Sequence, residues 1–252
     1  MREKGVYSVQ AVVKAIDLLE ALAQGGESPS ILVLEKKLGL SHNKAFRLLA
    51  TLQDKGLVER DKTNNTYSLG IHAFEMAQHI LKSDNLIRMA HPIMVELARK
   101  LDEAIYFTVA NNNEVLFLDM VDSFQQIKAA DMVGKRFPFF TNAAGKVIKS
   151  VSSIDIFGRG KKGGIKDVKQ LEVELDEIRR KGVAVDFNGL GDGICTVAVV
   201  IRDYAGKVVG ALTLLAPSFR MLQDRLEKEV IPCMLEGAEV LSMKFGYSRA
   251  YA

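Results

Sequence analysis

The chain has 252 residues, of which 48% are hydrophobic and 26% are charged, a composition that is ordinary for a globular protein able to bury a sizeable core. The net charge is only +3, and residues 1–70 carry ten Lys and Arg against eight Asp and Glu, so charge alone does not indicate nucleic-acid binding. Two cysteines, no evident signal sequence and no apolar run near eighteen residues argue against secretion and a membrane span, and predict a cytoplasmic location.

The first part of the chain predicts three helices. From about residue 8 to residue 23, apolar residues recur at helical spacing, namely Val9, Val12, Ile16 and Leu19. A second apolar run ends at Gly39, a residue suited to the left-handed conformation that terminates a helix. Ser41 is placed to cap a third run, which ends at Gly56 and has its apolar positions at Ala45, Leu48, Leu49 and Leu52.

The segment after Gly56 predicts a β-hairpin. Residues 57–60 and 66–69 have strand-like sequences, and the Asn64-Asn65 pair between them is typical of a turn. Two short helices joined by a tight turn and followed by a hairpin form a winged helix-turn-helix. Because this is a DNA-reading module, the expected partner is double-stranded DNA.

The DNA-contacting residues are expected on the first turns of the third helix and on the hairpin. Those turns enter the major groove in helix-turn-helix docking, where Arg or Lys reads guanine and Asn reads adenine. The alternative is that the same side chains are simply a solvated helix face. The predicted contacts are Ser41, His42, Asn43, Lys44, Arg47 and Thr51, with Lys55, Arg60, Lys62, Asn64 and Asn65 at the phosphates and the wing tip.

Residues 71–91 predict a connecting helix that ends before Pro92, because proline lacks the amide hydrogen that a continuing helix needs. Little of its own domain is left to cover the apolar side of this helix, so we expect it to support dimerisation through Phe74, Ala77 and Leu81. A shorter helix is expected over residues 93–101. The predicted domains are a DNA-binding domain (1–70), the connecting helix (71–91) and a distal domain (92–252).

The distal domain predicts an α+β fold built on an antiparallel sheet. The expected strands cover residues 104–110, 114–121, 127–133, 183–186, 195–202 and 207–216. Three helices are expected: one that begins near residue 141, and two that cover residues 167–181 and 221–245. The glycine-rich run 158–164 lacks the spacing of a phosphate-binding loop and is expected to be a mobile basic loop.

Several motifs, taken in order, resemble the IclR family of bacterial transcriptional regulators. They lie at residues 8–19, 38–40, 47–52, 56–60 and 67–70, and in the distal half at Gly134 with Pro138, 141–146, 193–198 and 210–213. The resemblance covers nearly the whole chain and implies a GAF-like effector-binding domain behind the winged domain. One departure is that Asn43 and Lys44 replace the usual Ser-Thr pair, which bears on the operator sequence and leaves the fold unchanged.

The resemblance also implies an effector site for small carboxylic acids or aromatic compounds. A helix start made of small residues offers unpaired backbone N–H groups to an anion, and polar side chains facing the same cavity supply further contacts. The residues so implied are Ala143, Ala144 and Gly145 at the helix start, with Asp186, Cys195 and Thr213. The alternatives are that the small residues merely allow close helix packing and that Cys195 is a small buried hydrophobe.

Two further departures from the family make the implied site more apolar. Leu215-Ala216 stand where a Ser-Gly pair is common, and Phe139-Phe140 stand where Leu-His is common. Both changes favour an aromatic or otherwise hydrophobic effector.

An enzyme is the competing class, and the residue pattern argues against it. All four histidines precede Pro92, so neither Cys195 nor Cys233 has a histidine partner within the distal domain. No cysteine or histidine spacing typical of a metal site occurs, and no cofactor is expected. The sequence therefore predicts a ligand-responsive regulator, repressor or activator, that binds DNA as a homodimer or dimer of dimers. The alternative is a ligand-independent architectural or protein-docking factor.

Overall fold

The structure is a computed structural model that describes residues 8–24, 27–83, 85–112, 114–151 and 168–248. The chain forms two compact units, residues 1–84 and 85–252. The boundary between them falls within the segment that the sequence analysis treats as a connecting helix. The glycine-rich run 158–164 lies outside the described residues.

The first unit is a winged helix-turn-helix, as the sequence predicts. Gly39 and Gly56 adopt positive φ angles of 62° and 67° where the second and third helices end, and Asn65 adopts 54° in the hairpin turn. Its elements are α1 (Gln10–Ala23), α2 (Ile31–Leu38), α3 (His42–Asp54), β1 (Val58–Asp61), β2 (Thr66–Leu69) and α4 (Ile71–Ser83).

The core of this unit reaches only the second half of α1. Leu18 is fully buried against the core residues Leu34, Ala45, Leu49 and Tyr67. In the preceding turns the predicted apolar positions point to solvent, and the exposed fractions of Val9, Val12 and Ile16 are 64%, 55% and 50%. Helical spacing identified an apolar stripe correctly, but only its last residue, Leu19, packs against this core.

The second unit is an α+β domain with one antiparallel sheet of six strands in the order β5-β4-β3-β8-β7-β6. The strands are β3 (Ala104–Asn111), β4 (Glu114–Val121), β5 (Arg136–Pro138), β6 (Val183–Phe187), β7 (Ile194–Arg202) and β8 (Val208–Pro217). The helices are α5 (Asn85–Leu101), α6 (Ala143–Val151), α7 (Val168–Lys181), α8 (Gln223–Arg225) and α9 (Ile231–Lys244), with a π turn at Leu226–Val230 between the last two.

Two apolar clusters cover the two faces of this sheet. One cluster joins the sheet to α5 and α9 through residues such as Met94, Leu101, Phe107, Val197 and Leu241. The other joins it to α6 and α7 and includes Tyr106, Phe117, Val147, Leu175 and Leu215. We call the second side the α6 face.

The predicted helix break at Pro92 is wrong, because α5 runs through this residue. Pro92 is exposed, while the opposite side of α5 is buried in the core at Ala90, Ile93, Met94, Leu97 and Leu101. Burial of that side outweighs the roughly 3 kcal/mol that a proline costs inside a helix.

The predicted strand at residues 127–133 is also wrong. This segment forms no strand, and Ile127 and Val133 are 65% and 44% exposed. The edge strand is instead β5, which follows the turn at Gly134 and pairs with β4. The run is short and largely apolar, which suggests a strand, but its residues do not alternate between a buried and an exposed side as the residues of a strand do.

A buried carboxylate connects the end of α5 to the segment after β8. Glu103 is 1% exposed, and its two oxygens accept hydrogen bonds from Nε and Nη2 of Arg220, each at 2.7 Å. Arg225 adds a third bond at 3.1 Å and also donates to the Leu101 carbonyl. Arg220 further donates to the carbonyl of Ile127, so one acidic side chain organises three segments.

Replacing Glu103 with Gln is expected to lower the free energy of unfolding of the second unit by about 3 kcal/mol, because two guanidinium groups lose their buried counter-charge. Denaturant unfolding of the full chain measures this change. Glu236→Gln is the matched control: its partner Lys100 lies 3.6 Å away, both side chains are exposed, and a loss below about 0.5 kcal/mol is expected. Equal losses in the two variants would contradict the assignment.

Candidate nucleic-acid interface and effector-binding face

The third helix separates its buried and exposed sides as a recognition helix should. Ala45, Leu49 and Leu52 are buried, whereas Asn43 and Arg47, one turn apart, share the exposed side. Lys44 and Thr51 are also exposed. Thr51 Oγ1 donates to the carbonyl of Arg47 at 2.8 Å, which ties its hydroxyl to the helix backbone.

Ser41 occupies the N-cap position of α3, with extended backbone angles, but its side chain makes no capping hydrogen bond. His42 lies beside it, and its Nδ1 is 2.7 Å from Oε1 of Glu35 on α2. This pair directs His42 towards the neighbouring helix. Asn43, Lys44 and Arg47 form no side-chain hydrogen bond within the described part of the chain and are available to a ligand such as DNA.

On the wing, most of the polar side chains hold the hairpin itself. The Arg60 guanidinium donates to Oδ1 of Asn65 at 2.5 and 3.0 Å and lies over the Tyr67 ring. Asp61 accepts from the backbone N–H of Thr63 and from the Asn64 side chain, and these hydrogen bonds lower the pKa of its carboxyl group. Lys62 is exposed at the tip of the wing.

In the second unit, three buried threonines lie on the α6 face. Strand alternation places Thr108, Thr196 and Thr213 on the side opposite to Phe107, Val197 and Leu212. The hydroxyls of Thr108 and Thr213 are 3.1 Å apart, and the Thr108 hydroxyl also donates to the carbonyl of Ala211. These are buried polar groups within the otherwise apolar layer between the sheet and α6.

Ala143, Ala144 and Gly145 open α6 and are fully buried, but the prediction that their N–H groups are unpaired is wrong for two of them. The N–H of Ala143 donates to Thr196 Oγ1 at 3.4 Å, and that of Gly145 donates to Oδ1 of the preceding Asn142 at 3.0 Å. Helix starts are commonly satisfied by such side chains. A Cβ at position 145 would lie 1.9 Å from the carbonyl oxygen of Phe139, so close packing explains this glycine.

Asp186 also lies on the α6 face, where one of its carboxylate oxygens pairs with the ammonium group of Lys146. Lys146 Nζ is 2.6 Å from Asp186 and 2.9 Å from Glu174, while the N–H of Gly189 donates to the other oxygen of Asp186 at 2.9 Å. Burial opposes the charge of the ammonium group, but the hydrogen bonds to the two carboxylates outweigh this effect and raise the pKa of Lys146.

Cys195 does not face the same cavity as Thr213, so that part of the prediction is wrong. It belongs to the cluster with α5 and α9, on the opposite side of the sheet. Burial raises the pKa of its thiol to about 12, so the group is a neutral hydrophobe at physiological pH. The sequence analysis does not include Thr108 or the neighbour of Cys195, Thr196, which lie on the α6 face with Thr213. The alternation of apolar residues along β7 is the signal that could have identified Thr196.

The first unit is a winged helix-turn-helix with three available polar side chains on its third helix, and the same chain continues into an α+β unit. This combination defines a DNA-binding regulator that carries both domains in a single chain. Family models agree with this class: the IclR helix-turn-helix domain matches residues 11–62, and the bacterial transcriptional regulator IclR C-terminal domain matches residues 78–243. The chain belongs to the IclR family of transcriptional regulators. Proteins of this family regulate transcription through a DNA-binding domain and an effector-binding domain and are not enzymes.

Relatives match along nearly the whole chain. The HTH-type transcriptional regulator KdgR of Escherichia coli is 26% identical over 97% of this chain and 96% of its own length. The acetate operon repressor of Salmonella typhimurium is 25% identical, with 96% and 92% covered.

Solved structures show the same fold. The Thermotoga maritima IclR structure has a TM-score of 0.75 at 24% identity and covers 94% of this chain and 99% of its own. An IclR homolog from Microbacterium hydrocarbonoxydans, solved with 4-hydroxybenzoate, has a TM-score of 0.79 at 20% identity and covers 94% and 100%. Among the described residues of the present chain, no helix has the length and apolar character needed to span a bilayer.

Proposed function

We propose that this chain is a cytoplasmic, effector-responsive regulator that binds operator DNA as a homo-oligomer. The observation that carries the proposal is the exposed side of α3, where Asn43, Lys44 and Arg47 form no side-chain hydrogen bond with any residue that the structure describes. Asn and Arg are side chains that form bidentate contacts with adenine and guanine in the major groove. Lys62 on the wing suits a phosphate contact.

Replacing Arg47 with Ala is expected to weaken binding to the preferred site by about 10- to 100-fold, because a bidentate base contact is worth roughly 1–3 kcal/mol. Gel-shift titration at fixed salt, on a site recovered from genomic DNA, measures this loss. Arg180→Ala is the matched control, since it removes the same charge from an exposed position on α7 and should bind as the wild type does. Recovery of no preferred site by the folded wild type would instead favour the architectural or docking factor.

Exposed apolar surface in the first unit supports self-association. Val9, Val12, Val13 and Ile16 occur at the three- and four-residue spacing of a helix-pairing seam and are 38–64% exposed. On α4, Ile71 and Phe74 are 63% and 59% exposed. A symmetric dimer would present two copies of α3 to half-sites about 34 Å apart or a multiple of that, and the family resemblance extends to a dimer of dimers.

Replacing Ile16 with Glu is expected to weaken dimerisation by at least tenfold, because a carboxylate would have to be buried at the seam. Sedimentation velocity across a concentration series measures the dissociation constant. Val173→Glu, at a 61% exposed position on α7, is the control and should leave it unchanged. A wild-type dissociation constant for Ile16→Glu would remove α1 from the interface.

For the effector we propose a small carboxylate or aromatic compound bound on the α6 face. The support is the set of threonine hydroxyls buried in the apolar layer between the sheet and α6, together with Asp186 and the small residues that open α6. Aromatic rings of Tyr106, Phe117 and Phe137 pack edge to face in the same cluster and suit an apolar effector body. Coupling between effector and DNA of about 1–3 kcal/mol would change operator occupancy 5- to 150-fold.

Thermal unfolding against a panel of carboxylates and aromatic compounds tests this site, with 4-hydroxybenzoate as the first member because a structural neighbour was solved with it. A binder at one hundred times its dissociation constant should stabilise the wild type by roughly 2.7 kcal/mol. Thr213→Val, which replaces the hydroxyl with a methyl group of similar size, should weaken the binding about tenfold.

Cys195→Ala is the matched control, because Cys195 lies on the other face of the sheet and its loss should leave the ligand response intact. The reverse pattern, in which Thr213→Val keeps the response and Cys195→Ala loses it, would place the effector beside α5 and α9.

A further inference from the structure

The third helix exposes one large apolar side chain that the proposed contacts leave unused. Phe46 is 49% exposed, although Ala45 and Leu49 beside it on α3 are fully buried. All residues of α3 are described, and no other large apolar side chain of this helix is comparably exposed. Single exposed apolar side chains are common on protein surfaces, and Phe46 is set apart by its place on the helix proposed to enter the major groove.

The position of Phe46 on the helix is set by its neighbours. At 100° per residue, it lies about 80° from the line that bisects Asn43 and Arg47, and so flanks the side proposed to face the bases. His42, one turn earlier on the same flank, is held by Glu35 of α2. Lys44 and Thr51 lie on the other flank, and together with Asn43 and Arg47 they line a groove between α3 and α1.

The major groove of DNA is about 12 Å wide and a helix with its side chains measures about 10–12 Å, so residues on both flanks of an inserted helix lie at the sides of the groove floor, beside the sugar-phosphate strands. The C5-methyl group of thymine projects into the groove on the side of its own strand, within reach of such a residue. A phenyl ring forms no hydrogen bond with a phosphate or a base. The apolar group that B-DNA presents in the major groove is the C5-methyl of thymine.

We propose that Phe46 is a specificity-determining residue that reads thymine through its C5-methyl group. The proposal rests on the proposed DNA-binding function and adds to it a residue and a base preference. A protein partner fits this site less well, because Phe46 is surrounded on the exposed side by His42, Asn43 and Arg47 and is not part of a wider apolar patch on α3.

The test uses the full-length protein and removes the methyl group from the DNA. Preferred sites are first selected from a random double-stranded library, and each thymine of the recovered site is then replaced by deoxyuracil, which lacks only the C5-methyl. Wild-type protein should bind roughly fourfold more weakly at one or two thymines per half-site, the change expected for one methyl group returned to water. Phe46→Ala should show no penalty for deoxyuracil at those positions.

Leu32→Ala is the control for loss of an exposed apolar side chain from the same unit, since Leu32 on α2 is 67% exposed. It should retain the full deoxyuracil penalty. Wild-type binding that is indifferent to deoxyuracil at every position, or a full penalty retained by folded Phe46→Ala, would overturn the role of Phe46 while leaving DNA binding intact. Enrichment of no sequence at all would instead overturn the proposed DNA-binding function, and the role of Phe46 with it.

Discussion

The alternation of side chains along the central strands of the sheet is the constraint on which the second unit depends. In β7 and β8, successive residues point to opposite sides of the sheet. Residues on one side contact α5 and α9, and residues on the other side contact α6 and α7. A shift of one residue in register would exchange the two clusters and would bring Cys195 to the face that Thr196 now occupies. Packing of both helical layers therefore decides which polar groups an effector can meet, before any property of the effector matters.

The local signals in the first unit were strong enough to predict its fold. Gly39, Gly56 and Asn65 adopt positive φ angles, and each of them ends a helix or forms the wing turn as the sequence indicated. Such residues act through the backbone alone, so they can be interpreted without knowing what lies nearby. The strands predicted in the second unit are also present in the structure, apart from the one expected at residues 127–133.

Predictions failed where the answer depended on packing. Pro92 is a helix breaker by local chemistry, but burial of the opposite side of α5 overrides it. The stripe that begins at Val9 shows that α1 is amphipathic. A periodic pattern of this kind does not identify the surface that covers the stripe. Cys195 was assigned by resemblance, which transfers a position along the chain but does not establish the side of the sheet on which the residue lies.

The α6 face also constrains the charge of any effector that binds there. Lys146 is shared by Asp186 and Glu174, so this cluster holds two carboxyl groups against one ammonium group. A carboxylate placed beside this cluster would be repelled, because the ammonium group of Lys146 is already paired with two carboxyl groups and burial strengthens the repulsion. The threonine hydroxyls and the N–H groups of Ala143 and Gly145 add no negative charge to this face, although each of them is engaged in a hydrogen bond within the fold. An acidic effector is therefore best accommodated with its carboxylate towards the threonines and its neutral or hydroxylated end towards Asp186, whose oxygens accept hydrogen bonds. This polarity would distinguish a hydroxylated aromatic acid from a dicarboxylate of similar size.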